Sequence, residues 1–222
     1  MGLQFDKINY AIRYPADFEN DKKYPLVLFL HGAGTRGQDV KLIEQHPFFV
    51  ETEGNNLPAI CVAPQCYANT WFEIFEQLLA FAEHWRNHHN VDQSRVYLMG
   101  ASMGGYCAWQ LAMTRPEWFT AVVPICGGGM YWNAPRLKSL PIWAFHGSED
   151  ATVLPAESEK MVSAVNRSGG NAQLTIYEGV AHNAWTPTFH NEQMWDWLFS
   201  QKTLSTINMK AGSNEKDTLH WG

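Results

Sequence analysis

Short, predominantly apolar runs alternate along this chain with longer stretches whose apolar residues recur every three or four positions. The runs are residues 24–30, 59–63, 95–99, 121–125, 142–145 and 173–177, and a further pair is expected within 5–14. Strands apolar on both faces must be covered on both faces. That pattern predicts a mostly parallel sheet of about seven or eight strands between two layers of helices, an α/β fold. Pro124 cannot donate to a sheet ladder, so it is expected at a strand end.

The helical stretches are equally readable. Trp71, Phe75, Leu78, Leu79, Ala82 and Trp85 form one apolar stripe,. Residues 106–113 form a second helix. Pro155 opens a third, with Met161, Val162 and Val165 inward and Gly169-Gly170 as its stop,. Trp195, Leu198 and Phe199 mark the last, while residues 42–50 are a weaker candidate interrupted by Pro47. There is no repeat and no linker. The 222 residues suit one domain over 1–200 with a polar tail, 201–222,.

Gly100-Ala101-Ser102-Met103-Gly104 lies between the 95–99 strand and the 106–113 helix. Gly-x-Ser-x-Gly in that setting is a nucleophile elbow. The turn is sharp, and glycine on either side removes side chains that would collide with neighbouring backbone. The hydroxyl is then held at a helix N-terminus, where N–H groups and the helix dipole favour developing negative charge.

A serine hydroxyl needs a base, and the base needs an orienting carboxylate. Asp150, in His146-Gly147-Ser148-Glu149-Asp150, and His182, in Gly179-Val180-Ala181-His182, follow Ser102 in that order. We assign Ser102 as nucleophile, His182 as base and Asp150 as its partner, with Glu149 the alternative acid. His31 lies in the loop after the first long strand. His146, before Gly147 at a strand end, reads as structural. His84 and His88 have the spacing of a metal pair, but Trp85 stands where a zinc protease motif needs glutamate,. No metal and no cofactor are expected. The oxyanion of a tetrahedral intermediate needs two aimed N–H donors. These are expected from Met103, next after the nucleophile, and from Ala33 in the loop His31-Gly32-Ala33-Gly34-Thr35-Arg36-Gly37,.

The net charge of −6, without any basic run, argues against a nucleic-acid surface,. No apolar stretch reaches the ~18 residues of a membrane span. Residues 1–10 lack a signal-type apolar run, so a cytoplasmic location is expected. The four cysteines, Cys61, Cys66, Cys107 and Cys126, fit that setting as buried apolar residues,. Cys126 adjoins glycines near the expected site.

On these motifs the chain resembles the α/β-hydrolase superfamily. Within it, the chain is similar to the compact carboxylesterase or "predicted peptidase" branch, related to dienelactone hydrolases, acyl-protein thioesterases and feruloyl-esterase-like enzymes. Pro25 to Gly34, Ala63-Pro64-Gln65-Cys66, Gly100 to Tyr106, Pro124 to Gly129, Pro141 to Gly147 and Ala181 to Trp185 carry the likeness. The resemblance implies the triad Ser102, Asp150, His182. Asp150-Ala151-Thr152-Val153 matches the branch's Asp-x-x-Val loop, which favours Asp150 over Glu149. The first oxyanion donor of the family falls on Ala33. No long insertion precedes the last strands, so no large lid domain is expected, and small soluble acyl substrates are favoured over interfacial lipids. Trp71, Trp132 and Trp185 are expected near the mouth as substrate-binding residues. The expected chemistry is hydrolysis of small-molecule carboxylic esters through an acyl-enzyme. The alternatives are a serine peptidase or amidase acting on short peptides, and a non-catalytic binding protein with the same fold. The oligomeric state is not readable.

Overall fold

A computed structural model describes residues 3–203. Eight strands form one sheet: β1 (Leu3–Phe5), β2 (Ile8–Arg13), β3 (Tyr24–Leu30), β4 (Ile60–Pro64), β5 (Val91–Ala101), β6 (Ala121–Ile125), β7 (Ile142–Gly147) and β8 (Ala172–Tyr177). Their order is β1-β2-β4-β3-β5-β6-β7-β8. Only β1 with β2 and β2 with β4 run antiparallel; the remaining pairs are parallel. The helices are α1 (Lys41–Glu44), α2 (Pro47–Glu51), α3 (Phe75–Arg86), α4 (Met103–Thr114), α5 (Ala156–Arg167), α6 (Trp185–Phe189) and α7 (Glu192–Ser200). This is the α/β-hydrolase architecture, and no lid domain stands over it among the described residues.

The period of two along the central strands divides the core. On β3, Leu26, Leu28 and Leu30 face one layer, with Leu78 and Phe81 of α3 and Met161 and Val165 of α5. Val27 and Phe29 face the other, with Phe48 of α2, Phe189 of α6 and Leu198 of α7. Every residue of β3 is buried, which explains its lack of a polar face.

Three local features differ from the sequence reading. The 95–99 strand begins earlier, at Val91, which pairs with Tyr24 of β3, and the polar residues that follow are tied to one another by Asp92, whose carboxylate accepts from Ser94 and Arg95. The stripe from Trp71 opens as a 3-10 turn, Trp71–Ile74, before α3 proper. Pro47 interrupts the 42–50 segment as expected, dividing it into α1 and α2, and His46 between them caps α2. Pro124 is not at the strand end but inside β6, paired with Gly100. The N–H groups of Val122 and Cys126 on either side donate toward β7, to Pro141 and Phe145. The proline therefore interrupts only the β6–β7 ladder, where just two register pairs form,.

Of the expected tail, 201–203 are described: the Tyr97 hydroxyl donates to Gln201 O at 2.8 Å and Thr203 N–H to Ser94 O at 3.0 Å. Residues 204–222 lie outside the described residues. Among the described residues no helix is long and apolar enough to cross a membrane.

Candidate active site

The C-terminal ends of β3, β5, β6, β7 and β8 carry the functional residues, and β5 carries the central one. Ser102 sits between β5 and α4 with φ 55° and ψ −117°, a strained conformation for a non-glycine residue,. What holds it there is close backbone packing. A Cβ on Gly100 would lie 2.2 Å from Gly104 O, and one on Gly104 would lie 1.9 Å from Leu30 O. Neither position has room for any side chain. The Ser102 N–H donates to Ile125 O at 2.9 Å, tying the turn to β6.

The structure brings Ser102, His182 and Asp150 together. His182 Nε2 lies 2.8 Å from Ser102 Oγ, and its Nδ1 lies 2.7 Å from Asp150 Oδ2. An ionised carboxylate only accepts, so Nδ1 carries the ring proton and Nε2 is free to accept the serine proton. Asp150 is 3% exposed, and its Oδ1 accepts the N–H groups of Thr152 and Val153, each at 2.9 Å. Burial pushes its pKa up, but the bonds from His182, Val153 and Thr152 together outweigh this and hold it below the ordinary value,. Glu149 is exposed, and its N–H bonds to Val180 O, so its carboxylate stays outside the cluster.

His146 is closer to the chemistry than its strand-end position suggests. It is fully buried, with Nε2 at 3.2 Å from Asp150 Oδ2 and 2.8 Å from Val153 O, and Nδ1 at 2.7 Å from Ser158 Oγ. Asp150 Oδ2 thus serves two imidazoles. The His-Gly-x-x-Asp spacing is the only sequence trace of that contact.

The two residues expected to supply oxyanion donors, Met103 and Ala33, lie on segments that flank Ser102. Met103 N–H belongs to the first turn of α4 and has no intrahelical acceptor,. Ala33 begins a 3-10 turn after Gly32, and a Cβ on Gly32 would lie 3.3 Å from Ser102 Cβ, so this loop touches the nucleophile. His31 anchors the loop: its Nε2 accepts Cys66 N–H at 2.9 Å, its Nδ1 lies 2.6 Å from Gly32 O, and its carbonyl accepts the Trp71 indole at 3.0 Å. Burial lowers the His31 pKa to about 4, so the ring is neutral,.

A cavity of about 480 Å³ opens over Ser102, lined by the Gly32–Thr35 loop, His46, Pro47, Ala101, Thr152, His182 and Trp185. Of the three tryptophans, Trp185 lines it, with its ring perpendicular to His182 at 5.4 Å. Trp71 does not: it is fully buried, part of the core and a prop for the His31 carbonyl. Trp132 stands 68% exposed against Tyr131, outside this cavity's lining. A second cavity of about 480 Å³, lined by Phe72, Phe75, Tyr106, Gln110 and Met130, flanks α4 without touching the triad.

Among the described residues one trio of metal-type side chains converges, Cys126, Asp150 and His182, with ligand atoms within 4.8 Å of one another. Two of those atoms are already joined by the His182–Asp150 hydrogen bond. Cys126 is fully buried, and burial pushes its thiol up to about 12, so it is a poor nucleophile at neutral pH,. Cys61 and Cys66 are free thiols, both buried. His84 is exposed on α3, and the His88 ring stacks on Trp85 at 5.2 Å.

Comparison with known proteins gives a consistent picture. The model of the Dienelactone hydrolase family matches residues 59–194, more than half of the chain. A poly(3-hydroxyalkanoate) depolymerase C of Paucimonas lemoignei is 26% identical over 208 residues, covering 70% of this chain and 45% of its own. A probable feruloyl esterase C of Aspergillus niger is 27% identical over 157 residues, covering 68% and 58%. The chain thus spans about half the length of the curated relatives it matches. The crystal structure of a thermostable esterase superposes with a TM-score of 0.76 at 35% identity, covering 88% of this chain and 60% of that one.

Proposed function

The chain belongs to the dienelactone hydrolase family, and from that membership together with the site geometry we propose that it is a carboxylesterase-type serine hydrolase acting on small-molecule esters. The observation that carries the reading is the unbroken relay from Ser102 Oγ through His182 to Asp150, with contacts of 2.8 and 2.7 Å.

In this mechanism Ser102 Oγ attacks the ester carbonyl as His182 Nε2 takes its proton. Asp150 remains a carboxylate. It fixes the imidazole tautomer and stabilises the imidazolium. The N–H groups of Ala33 and Met103 receive the oxyanion. His182 then protonates the departing alkoxide, the alcohol leaves, and an acyl-enzyme remains on Ser102. Water, activated by His182, repeats the sequence and releases the acid. No step calls for a metal or cofactor. The reading takes residues 1–200 as one catalytic domain. A cytoplasmic setting is part of the proposal and is supported by four buried free thiols,.

The test is turnover of p-nitrophenyl butanoate by wild type and Ser102→Ala. The wild type is expected to turn over and the variant to lose on the order of 10⁵-fold in kcat. Equal rates in the two proteins would remove the proposal. Cleavage of short peptides faster than esters would replace it with the peptidase alternative.

A further inference from the structure

One side chain in the wall of the reaction cavity has a hydrogen bond still to give. His46 caps α2, and its Nδ1 accepts the Phe48 N–H at 3.1 Å. A nitrogen that accepts carries no proton, so the proton of the neutral ring is on Nε2. Among the described residues no protein acceptor meets Nε2. The ring is also fixed, pinned at one nitrogen by the cap and lying 5.0 Å from the Phe29 ring, and it lines the cavity above Ser102. Burial, reinforced by nearby His31, lowers its pKa to about 4, so it donates as a neutral group at neutral pH,.

A cap alone does not ask for an imidazole. Asn, Asp, Ser and Thr cap helices better and are smaller. What histidine adds at this position is the second nitrogen, on the opposite edge of the ring from the capping one. Of the other side chains with polar atoms that line the cavity outside the triad, Thr35 and Thr152 have hydroxyls that rotate and both donate and accept, and Trp185 has an indole N–H that only donates,. His46, like Trp185, offers a donor of fixed direction, and it is the one whose ring is held by a hydrogen bond at its other nitrogen,.

The charge of the wall limits what that donor meets. Among the described residues no Asp, Glu, Lys or Arg lines this cavity. Arg36, next along the oxyanion loop, spends its guanidinium on Ala33 O and Asn69 O, both at 2.8 Å. A substrate carboxylate or ammonium would be desolvated here without a counter-ion. A neutral oxygen has no such cost.

We propose that His46 Nε2–H binds the substrate and selects esters whose cavity-seated half carries a neutral oxygen acceptor (ether, hydroxyl or carbonyl) over plain alkyl esters of the same shape. This rests on the serine-hydrolase reading and refines its substrate class. An unpaired donor facing an all-carbon chain loses its hydration for nothing, which is how a pocket rejects an isostere lacking the right atom.

The experiment compares isosteric pairs in two arms. The acyl arm is p-nitrophenyl methoxyacetate against p-nitrophenyl butanoate, and the alcohol arm is 2-methoxyethyl butanoate against butyl butanoate. Each is run with wild type and with His46→Asn, which keeps a cap but shortens the side chain. Intrinsic reactivity differs within a pair but cancels between the two proteins. In at least one arm the oxygenated-to-plain ratio of kcat/KM is expected to fall about fivefold to tenfold in the variant, the loss of one hydrogen bond. An unchanged ratio in both arms overturns the inference while leaving the hydrolase reading intact. A wild type that hydrolyses none of the four esters overturns both. Should His46→Asn fail to fold, inhibition of the wild type by neutral amides decides. Methoxyacetamide and N-(2-methoxyethyl)butanamide are compared with their all-carbon isosteres, and equal inhibition constants within both pairs reject the proposal.

Discussion

Around Ser102 backbone presses on backbone, whereas around Asp150 and His182 polar groups hold one another. On the nucleophile side, Gly100, Gly104 and Gly105 each lie so close to a neighbouring carbonyl that a Cβ would come within 2.5 Å of its oxygen. On the acid–base side, Asp150 takes bonds from Thr152, Val153 and His182, with His146 beside it, and Glu149 N–H bridges the acid loop to Val180 O. On that side Gly147 is packed in the first way, against both Val180 O and Ala181 O. The contrast teaches which perturbation each half withstands. Steric packing ignores protonation but admits no added atom. Polar bonding admits an isosteric exchange but depends on charge and tautomer.

Between the two halves' supports, the largest expected effect comes from changing charge without shape. Asp150→Asn is predicted to reduce kcat on the order of 10⁴-fold by stabilising the wrong His182 tautomer. The protein should remain folded, as judged by circular dichroism. A loss of tenfold or less would mean that Asp150 does not orient the base.

Adding one methyl group to the other half should act on stability instead. Gly104→Ala places a carbon 1.9 Å from Leu30 O and is predicted to cost at least about 4 kcal/mol in urea unfolding,. A cost below 1 kcal/mol would show that the elbow yields, and the comparison would fail.

Acid should separate the halves next. His31, behind the oxyanion loop, has a folded pKa near 4, below the unfolded value of about 6.5. The unfolded chain therefore binds the proton first, and stability falls as pH drops from about 6.5 toward 4. His31 alone accounts for about 3 kcal/mol of this, and His46 adds to it in the same direction,. Asp150 works in another window. Its folded pKa lies below the ordinary carboxylate value, so its contribution is complete above the unfolded pKa and is lost only as pH falls through the folded one,. Urea midpoints measured from pH 7 to 4 should fall steadily and fall less in His31→Asn. A flat profile contradicts the buried neutral imidazoles.

The smallest effect concerns Cys126, which lies between the halves. No thiol should react with a chromogenic disulfide in the native state, and all four should react in denaturant. Fast labelling of one native thiol would show an open seam beside Asp150.

The two halves also differ in how far they were legible beforehand. The elbow is local: five consecutive residues encode strand, turn and helix start, so Ser102 and Met103 could be assigned from spacing. Asp150 and His182 are legible through chain order and the Asp-x-x-Val loop, and in space Glu149 is separated from Asp150 by its exposure and by the bond that Asp150 makes to His182. His146 and His46 were missed as functional neighbours because their contacts are tertiary. Nothing near His46 in sequence announces that its ring lines a cavity shared with Ser102. Trp71 shows the reverse error. Its helical stripe correctly implied an inward face, but a tryptophan at a helix start says nothing about whether inward means core or cavity. Pro124 was misplaced because the missing N–H had only to avoid one neighbouring strand, not both.

The Gly104 contact with Leu30 has a consequence for motion. Leu30 leads directly into the segment bearing Ala33, and Gly104 directly follows Met103. The two amides proposed to receive the substrate oxygen are thus mounted on pieces of chain that bear on each other. The α4 start cannot move toward the β3 end without driving Gly104 into Leu30 O, so the shared abutment sets a lower limit on the width of the gap between those amides.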